Sequence, residues 1–409
     1  MKDPPNKRSV DMQRINSLNG RVSRGFFWRK WRALLAVGLV IVILLGMTLA
    51  VLPAVSPGFG AETADFLRSV IGLEPVAKLE SVSFKLHDQL NRLLYSGKVT
   101  KPQINFSGPK QAASVTQTQG SPTSVSVAGD THNVVTDLPQ IGWQAYGPTV
   151  NGGNPMMARA IIMMDPQRSY TGVALVRMDL SKLQLHMMTG TIDPIKPSNI
   201  SESIPNVGMV PPVDQNALIA TFNGGFKGEH GRFGMMVNGI TLLPPLPDLA
   251  TVAVYKDGHI GMGVWGKDIN PSSDMVSFRQ NCPPLIENGQ VNPALGMDNR
   301  MAWGYSGNSD ITWRTGLGLT QDGRYLIFAV GNGTSVETLA VSLQSAGAYN
   351  AMQLDINQYY AHFYTYQPTD PATSKGFKLF ASSLLSQMTQ DPYIYLTSGP
   401  RDFFYLTSN

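Results

Sequence analysis

A run of twenty apolar residues near the start of the chain constrains its architecture more than any other feature. Residues 33–52 read ALLAVGLVIVILLGMTLAVL and contain no charged or amide side chain. A helix of this length, at about 1.5 Å per residue, spans the roughly 30 Å hydrocarbon core of a bilayer. Phe27, Trp28 and Trp31 precede it among basic residues, as aromatic residues do at a membrane interface. The sequence therefore predicts one transmembrane helix within residues 33–55.

The alternative is a cleaved signal peptide, whose apolar region would be about 7–15 residues long behind a short basic segment. The apolar run here is longer, and about thirty residues precede it, which favours an uncleaved anchor. Basic residues flanking a membrane helix stay in the cytoplasm. We therefore expect a single-pass protein of the cell membrane, with residues 1–32 as a basic cytoplasmic tail and the C-terminal domain outside the cytoplasm.

The net charge of +4 comes from that tail. Residues 1–32 hold nine Lys and Arg against two acidic residues, whereas the rest of the chain holds 23 basic and 26 acidic residues. A basic balance confined to the tail does not support nucleic-acid binding, and we expect no nucleic-acid partner. The single cysteine, Cys282, excludes a disulfide framework and a paired-cysteine zinc site, so we expect a core or loop thiol. The sequence leaves the oligomeric state open.

Three segments follow the anchor. Residues 56–95 form a membrane-proximal helical segment whose apolar residues recur every three or four positions, which leaves open a stalk, a self-association helix or a lid. Residues 96–138 are rich in Ser, Thr, Gln, Gly and Pro and predict a flexible linker. Residues 139–409 form the remaining domain. The apolar stripe of the helical segment consists of Leu79, Val82, Leu86, Leu90 and Leu93.

The domain combines many strand patterns with few helix patterns. Asp257-Gly258 and Asp322-Gly323 each separate two apolar runs, as the turns of β-hairpins do. A helix is predicted over 335–346, with Thr334 and Glu337 as a capping box. The sequence thus predicts an α+β domain, mixed and largely antiparallel, preceded by one transmembrane helix and a helical and flexible stalk.

An ordered set of segments carries a resemblance to a known family. FNGGF (222–226) follows a strand, ENGQ (287–290) forms a turn, WRTGLGLTQDGRYLIFAV (313–330) reads as a hairpin, and a helix then leads to AMQLD (351–355). Over about residues 155–405 the chain resembles the phosphodiester glycosidase domain family. Animal members remove N-acetylglucosamine from a phosphodiester on lysosomal-enzyme glycans, and bacterial relatives are often labelled exopolysaccharide biosynthesis proteins. The resemblance implies a hydrolase acting on a glycan or sugar-phosphate substrate, and we expect no cofactor.

The chain departs from the family at one turn. The family's last strand typically ends Leu-Asp-Gly-Gly, whereas this chain reads Leu354-Asp355-Ile356-Asn357. Glycine permits a positive φ and a close approach of ligand to backbone, and a β-branched isoleucine resists both. The alternative function is therefore a catalytically inactive glycan-binding or envelope-assembly protein with the same fold.

Cleavage of a sugar from a phosphodiester requires a carboxylate at the anomeric carbon and cationic or N–H donors at the phosphate. Asp355, at the end of a buried strand, is the first candidate carboxylate. A second acid would be Glu229, Asp298 or Asp310. For the phosphate, the candidates are Arg314 and the turn that contains Gly331, Gly333 and Thr334 ahead of the predicted helix.

The remaining candidates are polar or glycine residues beside predicted strands. Asn223 could orient a sugar hydroxyl, and Gly224 and Gly225 could admit the ring. His230 and His362 are candidate proton shuttles. Asp298 and Asp310 lie in short acidic stretches without the full calcium-loop pattern, so we expect no dedicated metal site.

Overall fold

The computed structural model describes residues 57–95, 104–107, 141–148, 155–194, 204, 207–296, 302–304, 310–370, 372 and 374–409. The predicted basic tail and transmembrane segment 33–55 lie outside these residues. No helix in the described ranges is long and apolar enough to cross a bilayer.

The described elements alternate short strands with few helices. The helices are α1 (Pro57–Ile71), α2 (Leu73–Tyr95) and α3 (Val336–Ser345). The first strands are β1 (Gln144–Tyr146), β2 (Met157–Ile162), β3 (Val173–Asp179), β4 (Leu183–Met188), β5 (Leu218–Asn223), β6 (Met235–Val237), β7 (Ile240–Leu243), β8 (Ala250–Tyr255) and β9 (Ile260–Val264). The later strands are β10 (Met275–Gln280), β11 (Ile286–Glu287), β12 (Gln290–Val291), β13 (Thr312–Leu319), β14 (Tyr325–Thr334), β15 (Asn350–Gln353), β16 (Phe363–Pro368), β17 (Leu379–Ser383) and β18 (Phe403–Ser408).

These strands form three sheets. Their orders are β1-β2-β3-β14-β13-β15-β11-β12, then β7-β6-β10-β8-β9, and β17-β16-β5-β18-β4. All strand pairs within the sheets of the described chain are antiparallel. This architecture confirms the predicted strand-rich, largely antiparallel domain with few helices.

The largest sheet is apolar on both faces at its centre. In β14, Leu326 and Phe328 pack into one hydrophobic cluster, whereas Ile327 and Ala329 pack into a second cluster that includes α3. Side chains alternate between faces along a strand, so a strand buried on both faces shows an unbroken apolar run. The sequence YLIFAV has this run because both faces of β14 are covered.

Helix α3 begins one residue later than the predicted capping box. Ser335 is the N-cap, and its Oγ accepts a hydrogen bond from the Thr338 amide at 3.0 Å. Thr334 instead ends β14, where it pairs with Thr312 and is buried. The correction has a physical reason, because the strand continues to the last residue that sheet pairing can satisfy before the helix starts.

The third sheet places one late strand between two early ones. β18 pairs with both β4 and β5, and the residues just before it, Arg401 and Asp402, lie buried beside the loop that follows β5. That loop begins at Gly224. The arrangement brings residues separated by about 180 positions along the chain into one place, next to the end of β15.

Helices α1 and α2 form a hairpin on the domain surface. The turn between them uses Gly72 with φ 88°. Arg168 of the domain binds Asp88 of α2 through its Nε at 2.6 Å and its Nη2 at 2.7 Å. Ser81 donates to the Asp310 carboxylate at 3.0 Å. The predicted segment 56–95 is thus helical from residue 57, and it packs against the domain.

Part of the predicted linker 96–138 also contacts the domain. Ile104 is buried, and Phe106 forms a β-bridge with Leu385. The amides of Ser107 and Ser386 complete this short pairing with Leu384 and Asn105. The remaining linker residues lie outside the described part of the chain.

Candidate active site

A small cavity lies between the helical hairpin and the domain. Its volume is about 90 Å³. The domain contributes charged and polar side chains, the hairpin contributes three charged ones, and Ile356 and Asn357 line one wall. The charged and titratable lining residues are Asp65, Arg68, Glu80, Lys227, His230, Asp355, Tyr360 and Arg401.

Asp355 follows β15 and is 5% exposed. One carboxylate oxygen, Oδ1, accepts the Asn357 amide at 2.9 Å, while Oδ2 lies 3.1 Å from Nη2 of Arg401. The backbone carbonyl of Asp355 accepts bonds from the amide and hydroxyl of Thr315 on β13. The carboxylate is therefore held in one orientation at the cavity wall.

The turn after Asp355 contains Ile356 and Asn357, where the family typically has two glycines, and it forms without the backbone conformations that require glycine. Neither Ile356 nor Asn357 adopts a positive φ. The Asp355 carboxylate caps the turn at the Asn357 amide, and the Asn357 side chain in turn accepts the Tyr359 amide at 2.9 Å. Side-chain capping of this kind lets Asp and Asn build a turn without glycine. Ile356 narrows the cavity here without straining the backbone.

Arg401 connects Asp355 to two other elements. Its Nη2 also donates to the Gly225 carbonyl at 3.0 Å, and its Nε lies 3.5 Å from Oδ2 of Asp193. The guanidinium stacks over the Tyr360 ring at 4.6 Å. One cation thus holds the end of β15, the loop after β5 and the segment after β4 around the cavity.

Burial and charge shift the acid–base properties of this group. Burial raises the pKa of Asp355, and Arg401 partly offsets that shift. Burial would lower the pKa of Arg401, but Asp355, Asp402 and Asp193 outweigh it and raise that pKa. A carboxylate whose pKa is raised is a stronger base than an exposed one, while its arginine stays charged.

The loop after β5 supplies a second cation and a histidine. Lys227 forms an ion pair with Asp65 of α1. His230 ends the short helix Gly228–His230, and its pKa is lowered to about 3 by burial and by the cations Arg68, Lys227 and Arg401. His230 is therefore neutral near pH 7. Glu229 is not among the residues that line the cavity, and 64% of its side chain is exposed, but its carboxylate lies 3.5 Å from Nε2 of His230.

The hairpin closes the cavity with its own ion pairs. Arg68 binds Asp65 at 2.9 Å and Glu80 at 2.6 Å. A second cavity of about 210 Å³ adjoins the first and shares Glu80, Phe84, Ile356 and Asn357 with it. The two together only approach the roughly 300–1,000 Å³ of ordinary ligand sites. A ligand of ordinary size would therefore fill both cavities or displace part of the hairpin that lines them.

The predicted sugar-contacting residues of the first loop serve the protein interior instead. The Asn223 amide group donates to the Gly224 carbonyl and Thr315 hydroxyl, and its oxygen accepts the His362 amide. A Cβ on Gly224 would overlap the Asp402 carboxylate, and one on Gly225 would lie 3.0 Å from the Arg279 guanidinium. The absence of a side chain on these glycines leaves room for the buried Arg279–Asp402 ion pair, with N–O distance 2.8 Å.

The predicted phosphate contacts also lie elsewhere. Arg314 is fully buried, and it donates to the Gln353 side chain and to the carbonyls of Thr334 and Asp310. Gly331 and Thr334 belong to β14, so they are not a free turn at a helix N-terminus. Gly333, with φ 74°, lines only the larger cavity.

His362 and the other candidate acids stand apart from Asp355. His362 is 1% exposed, it shares a hydrogen bond with the Tyr395 hydroxyl, and its ring stacks on Tyr364. Burial and Arg401 lower its pKa to about 3. Asp310 is buried and accepts from Ser81, and Asp298 lies outside the described residues. Of the predicted catalytic residues, the structure brings Asp355 and His230 to one cavity.

One group in the described residues has the composition of a metal site. The ligand atoms of Asp65, Glu229 and His230 lie within 4.8 Å of one another. Asp65 already pairs with Lys227 and Arg68, two cations that would repel a metal ion at the same place. Cys282 offers no alternative, because it is buried and burial raises the pKa of its thiol.

Sequence reasoning missed two of the cations that line the cavity with Asp355, Lys227 and Arg401, although each carries a signal. Lys227 directly follows the FNGGF segment, and Arg401 precedes an apolar strand within SGPRD. A charged residue beside an apolar strand becomes buried unless the chain turns away, so it needs a partner or a function. Arg314 gives the same signal, and only the sheet order separates the two arginines.

Comparison with known proteins supports part of this description. Residues 216–355 match the family described as NAGPA, phosphodiester glycosidase. The match covers the loop after β5 and ends at Asp355, and it confirms the resemblance that the sequence predicts. No curated protein matches the chain.

Three solved structures match the chain at low identity. The zebrafish N-acetylglucosamine-1-phosphodiester alpha-N-acetylglucosaminidase catalytic domain, auto-inhibited by its pro-peptide, is 14% identical over 65% of this chain and 88% of its own, with a TM-score of 0.40. A hypothetical protein from Synechocystis is 10% identical over 65% and 62%, with a TM-score of 0.34. An exported protein from Burkholderia pseudomallei is 11% identical over 58% and 74%, with a TM-score of 0.28. Similarity at this level assigns no role to any residue.

Proposed function

We propose that this chain is a membrane-anchored hydrolase that cleaves a sugar-1-phosphodiester in a surface glycan or exopolysaccharide outside the cytoplasm. The observation that carries the proposal is the meeting of Asp355, Arg401 and Lys227 at one cavity, in and beside the segment that matches the phosphodiester glycosidase family. The apolar run 33–52 supports the anchor, and the basic tail supports the orientation.

The geometry suggests a division of labour. Asp355, fixed by Arg401 and the Asn357 amide, would face the anomeric carbon and act either as nucleophile or as the base that activates water. Lys227 and Arg401 would hold the phosphate and stabilise the charge that develops on it as it leaves. A phosphate is a weakly basic leaving group, so a neutral His230 need not protonate it.

The second candidate is a glycan-binding protein without turnover. Ile356 occupies the wall where the family has glycine, and the cavity beneath the hairpin is small. Such a protein would bind the sugar phosphate through the same cations and release it unchanged. The two functions differ in whether the bound sugar phosphate is hydrolysed. Only the hydrolase requires the Asp355 carboxylate for turnover.

The test compares the full chain with two variants on a panel of synthetic sugar-1-phosphodiesters, scored by released reducing sugar. Asp355→Asn keeps the side-chain volume and should lower turnover by about 10²–10⁴-fold. Asp179→Asn is the matched control, because Asp179 is also buried and paired with an arginine, Arg324, but lies outside both cavities.

Equal turnover in the chain and in Asp355→Asn would contradict the assignment of the carboxylate. The panel is repeated with Asp88→Asn, which removes a hairpin contact, so that a closed hairpin is not mistaken for an inactive site. Binding of the sugar phosphate without turnover, in both the unchanged chain and the Asp88→Asn variant, would favour the glycan-binding function.

A further inference from the structure

The apolar stripe of α2 faces solvent rather than the domain. Val82, Leu86, Leu90 and Leu93 recur every three or four residues, and these residues are 57%, 54%, 58% and 78% exposed. Residues at this spacing lie along one face of a helix. Contiguous apolar surface on a soluble face marks an interaction site.

The opposite face of the same helix makes the contacts with the domain and with α1. Glu80 binds Arg68, Ser81 binds Asp310, and Asp88 binds Arg168. At 100° per residue these positions lie between about a third and nearly half a turn around α2 from the centre of the apolar stripe. Docking of the hairpin on the domain therefore leaves Val82, Leu86, Leu90 and Leu93 more than half exposed.

A basic line runs beside the stripe. Lys78, Lys85 and Arg92 are spaced seven residues apart, and all three are exposed. This line lies about a quarter-turn around the helix from the apolar residues. An apolar face flanked by Lys and Arg is typical of helices that lie in the interface of a membrane containing anionic lipids.

The predicted membrane anchor, which directly precedes the hairpin, limits how far the exposed face of α2 can lie from the bilayer. The predicted transmembrane segment ends at residue 55 and α1 begins at Pro57, so a single residue separates them and spans at most about 7 Å from one Cα to the other. Phe66, Val70 and Ile71 of α1 are also exposed. An apolar and basic helix hairpin held this close to a bilayer has the lipid surface as its nearest partner.

We propose that the exposed face of α2 docks on the bilayer surface, with its leucines at the acyl boundary and its basic line against anionic headgroups. The hairpin would then be held by the domain on one side and by lipid on the other. This inference rests on the anchor of the proposed function, but not on hydrolase activity.

The test places a fluorescent probe on single introduced cysteines in the full chain. Native Cys282 is buried, so labelling is confined to the new site. Leu90→Cys reports on the stripe, Lys256→Cys on an exposed turn of the domain, and Leu44→Cys on the anchor. The chain is reconstituted in vesicles of phosphatidylcholine with about 30% phosphatidylglycerol, with and without lipids that carry a quencher on the acyl chain.

Docking predicts that quencher lipids lower the Leu90 signal by about twofold or more, and that they leave the Lys256 signal nearly unchanged. Quenching at position 44 without quenching at position 90 overturns docking and keeps the anchor. Absence of quenching at position 44 overturns the anchor. A blue-shifted Leu90 signal that ignores the quencher and falls on dilution into more lipid overturns docking in favour of a second copy of the chain.

A charge variant tests the basic line separately. Lys78→Glu/Lys85→Glu should reduce the extra quenching at position 90 that phosphatidylglycerol produces, whereas Lys375→Glu, at an exposed lysine of the domain, should not. Equal anionic-lipid dependence in the two variants would overturn the role of the basic line.

Discussion

Lys227 lies at the boundary between the domain and the hairpin, and its charge is available both to an ion pair with the hairpin and to a ligand in the cavity. It pairs with Asp65 of α1 in the closed arrangement, and its side chain lines the same cavity as Asp355. A substrate phosphate would replace the Asp65 carboxylate as its partner. Two substitutions that remove the same ion pair therefore separate the two roles.

Lys227→Met should lower kcat/KM for a sugar-1-phosphodiester by about 10-fold to 100-fold, because the phosphate loses a charge-assisted contact. Asp65→Asn breaks the same ion pair but keeps the cation, so it should leave kcat/KM unchanged or raise it. Steady-state kinetics of both variants decides the matter. A parallel fall in the two would show that the ion pair matters only for structure.

Two histidines, the buried His362 and the half-buried His230, predict how the stability of the fold responds to acid. His362 and His230 have pKa values lowered to about 3, whereas an unfolded chain would protonate them near pH 6.5. Below about pH 6.5 these histidines are protonated in the unfolded state but not in the folded state. The free energy of unfolding therefore falls as the pH falls towards 3. Each histidine contributes up to about 1.4 kcal/mol per pH unit.

Urea unfolding of the full chain at pH 7, 6 and 5 measures this slope. His362→Gln should be less stable at pH 7, because it loses the stacked ring, and should show a shallower loss of stability towards pH 5. His87→Gln, at an exposed position of α2, controls for loss of an imidazole elsewhere. An unchanged slope in His362→Gln would show that this side chain is not the titrating group.

At the scale of elements, the sequence predicted which helices and hairpins form better than it predicted which surfaces they pack against. The hairpin turns Asp257-Gly258 and Asp322-Gly323 lie where expected, because their signal is local. The spacing of Leu79, Val82, Leu86, Leu90 and Leu93 predicted the helix of 56–95, but its apolar stripe does not face the domain. Ion pairs and hydrogen bonds with distant residues determine which face of α2 packs on the domain. The local spacing of residues along the helix does not reveal these distant partners.

The hairpin should separate from the domain when its ion pairs are removed. Asp88→Asn loses the negative charge and one of the two hydrogen bonds from Arg168, and a hydrogen bond to a charged partner contributes about 1.5–3 kcal/mol. Hydrogen exchange should then become faster over residues 57–95 while β13 and β14 keep their protection. Lys78→Ala, which removes the exposed pair with Glu74, is the control and should change little. Faster exchange across the three sheets would instead indicate global destabilisation.

At the scale of the whole molecule, one buried ion pair joins the sheets. Arg279 of β10 binds Asp402, which precedes β18, and it also donates to the carbonyls of Phe226 and Phe233. Asn281, two residues later, donates to the carbonyls of Gln353 and Leu354. All three sheets therefore meet within a few residues of Asp355.

Removal of one partner from this pair leaves an uncompensated buried charge. Arg279→Met should lower the free energy of unfolding by about 3–5 kcal/mol. Adding Asp402→Asn should return part of that loss, so the double variant should be more stable than the sum of the single effects by about 1 kcal/mol or more. Urea midpoints of the four chains give the coupling. Additive effects would mean that the two charges act independently.

The candidate site shows where sequence reasoning stops. Asp355 was identifiable, since it ends a buried strand, and His230 follows the FNGGF segment closely. Arg401 was not, because nothing local distinguishes it from Arg314, and both are buried arginines next to apolar strands. The difference lies in sheet order. Arg314 faces Gln353 inside the largest sheet, whereas Arg401 reaches the end of β15 from another sheet.

The position of β18 also sets the order in which a nascent chain can be completed. This strand lies between β4 and β5, yet it is synthesised after every other strand of the three sheets. Until residues 401–408 leave the ribosome, β4 and β5 have no shared partner and Asp355 has no guanidinium beside it. A chain released early would carry the other residues of the cavity with Asp355 lacking the Arg401 guanidinium, so this ion pair and the closing strand would form together.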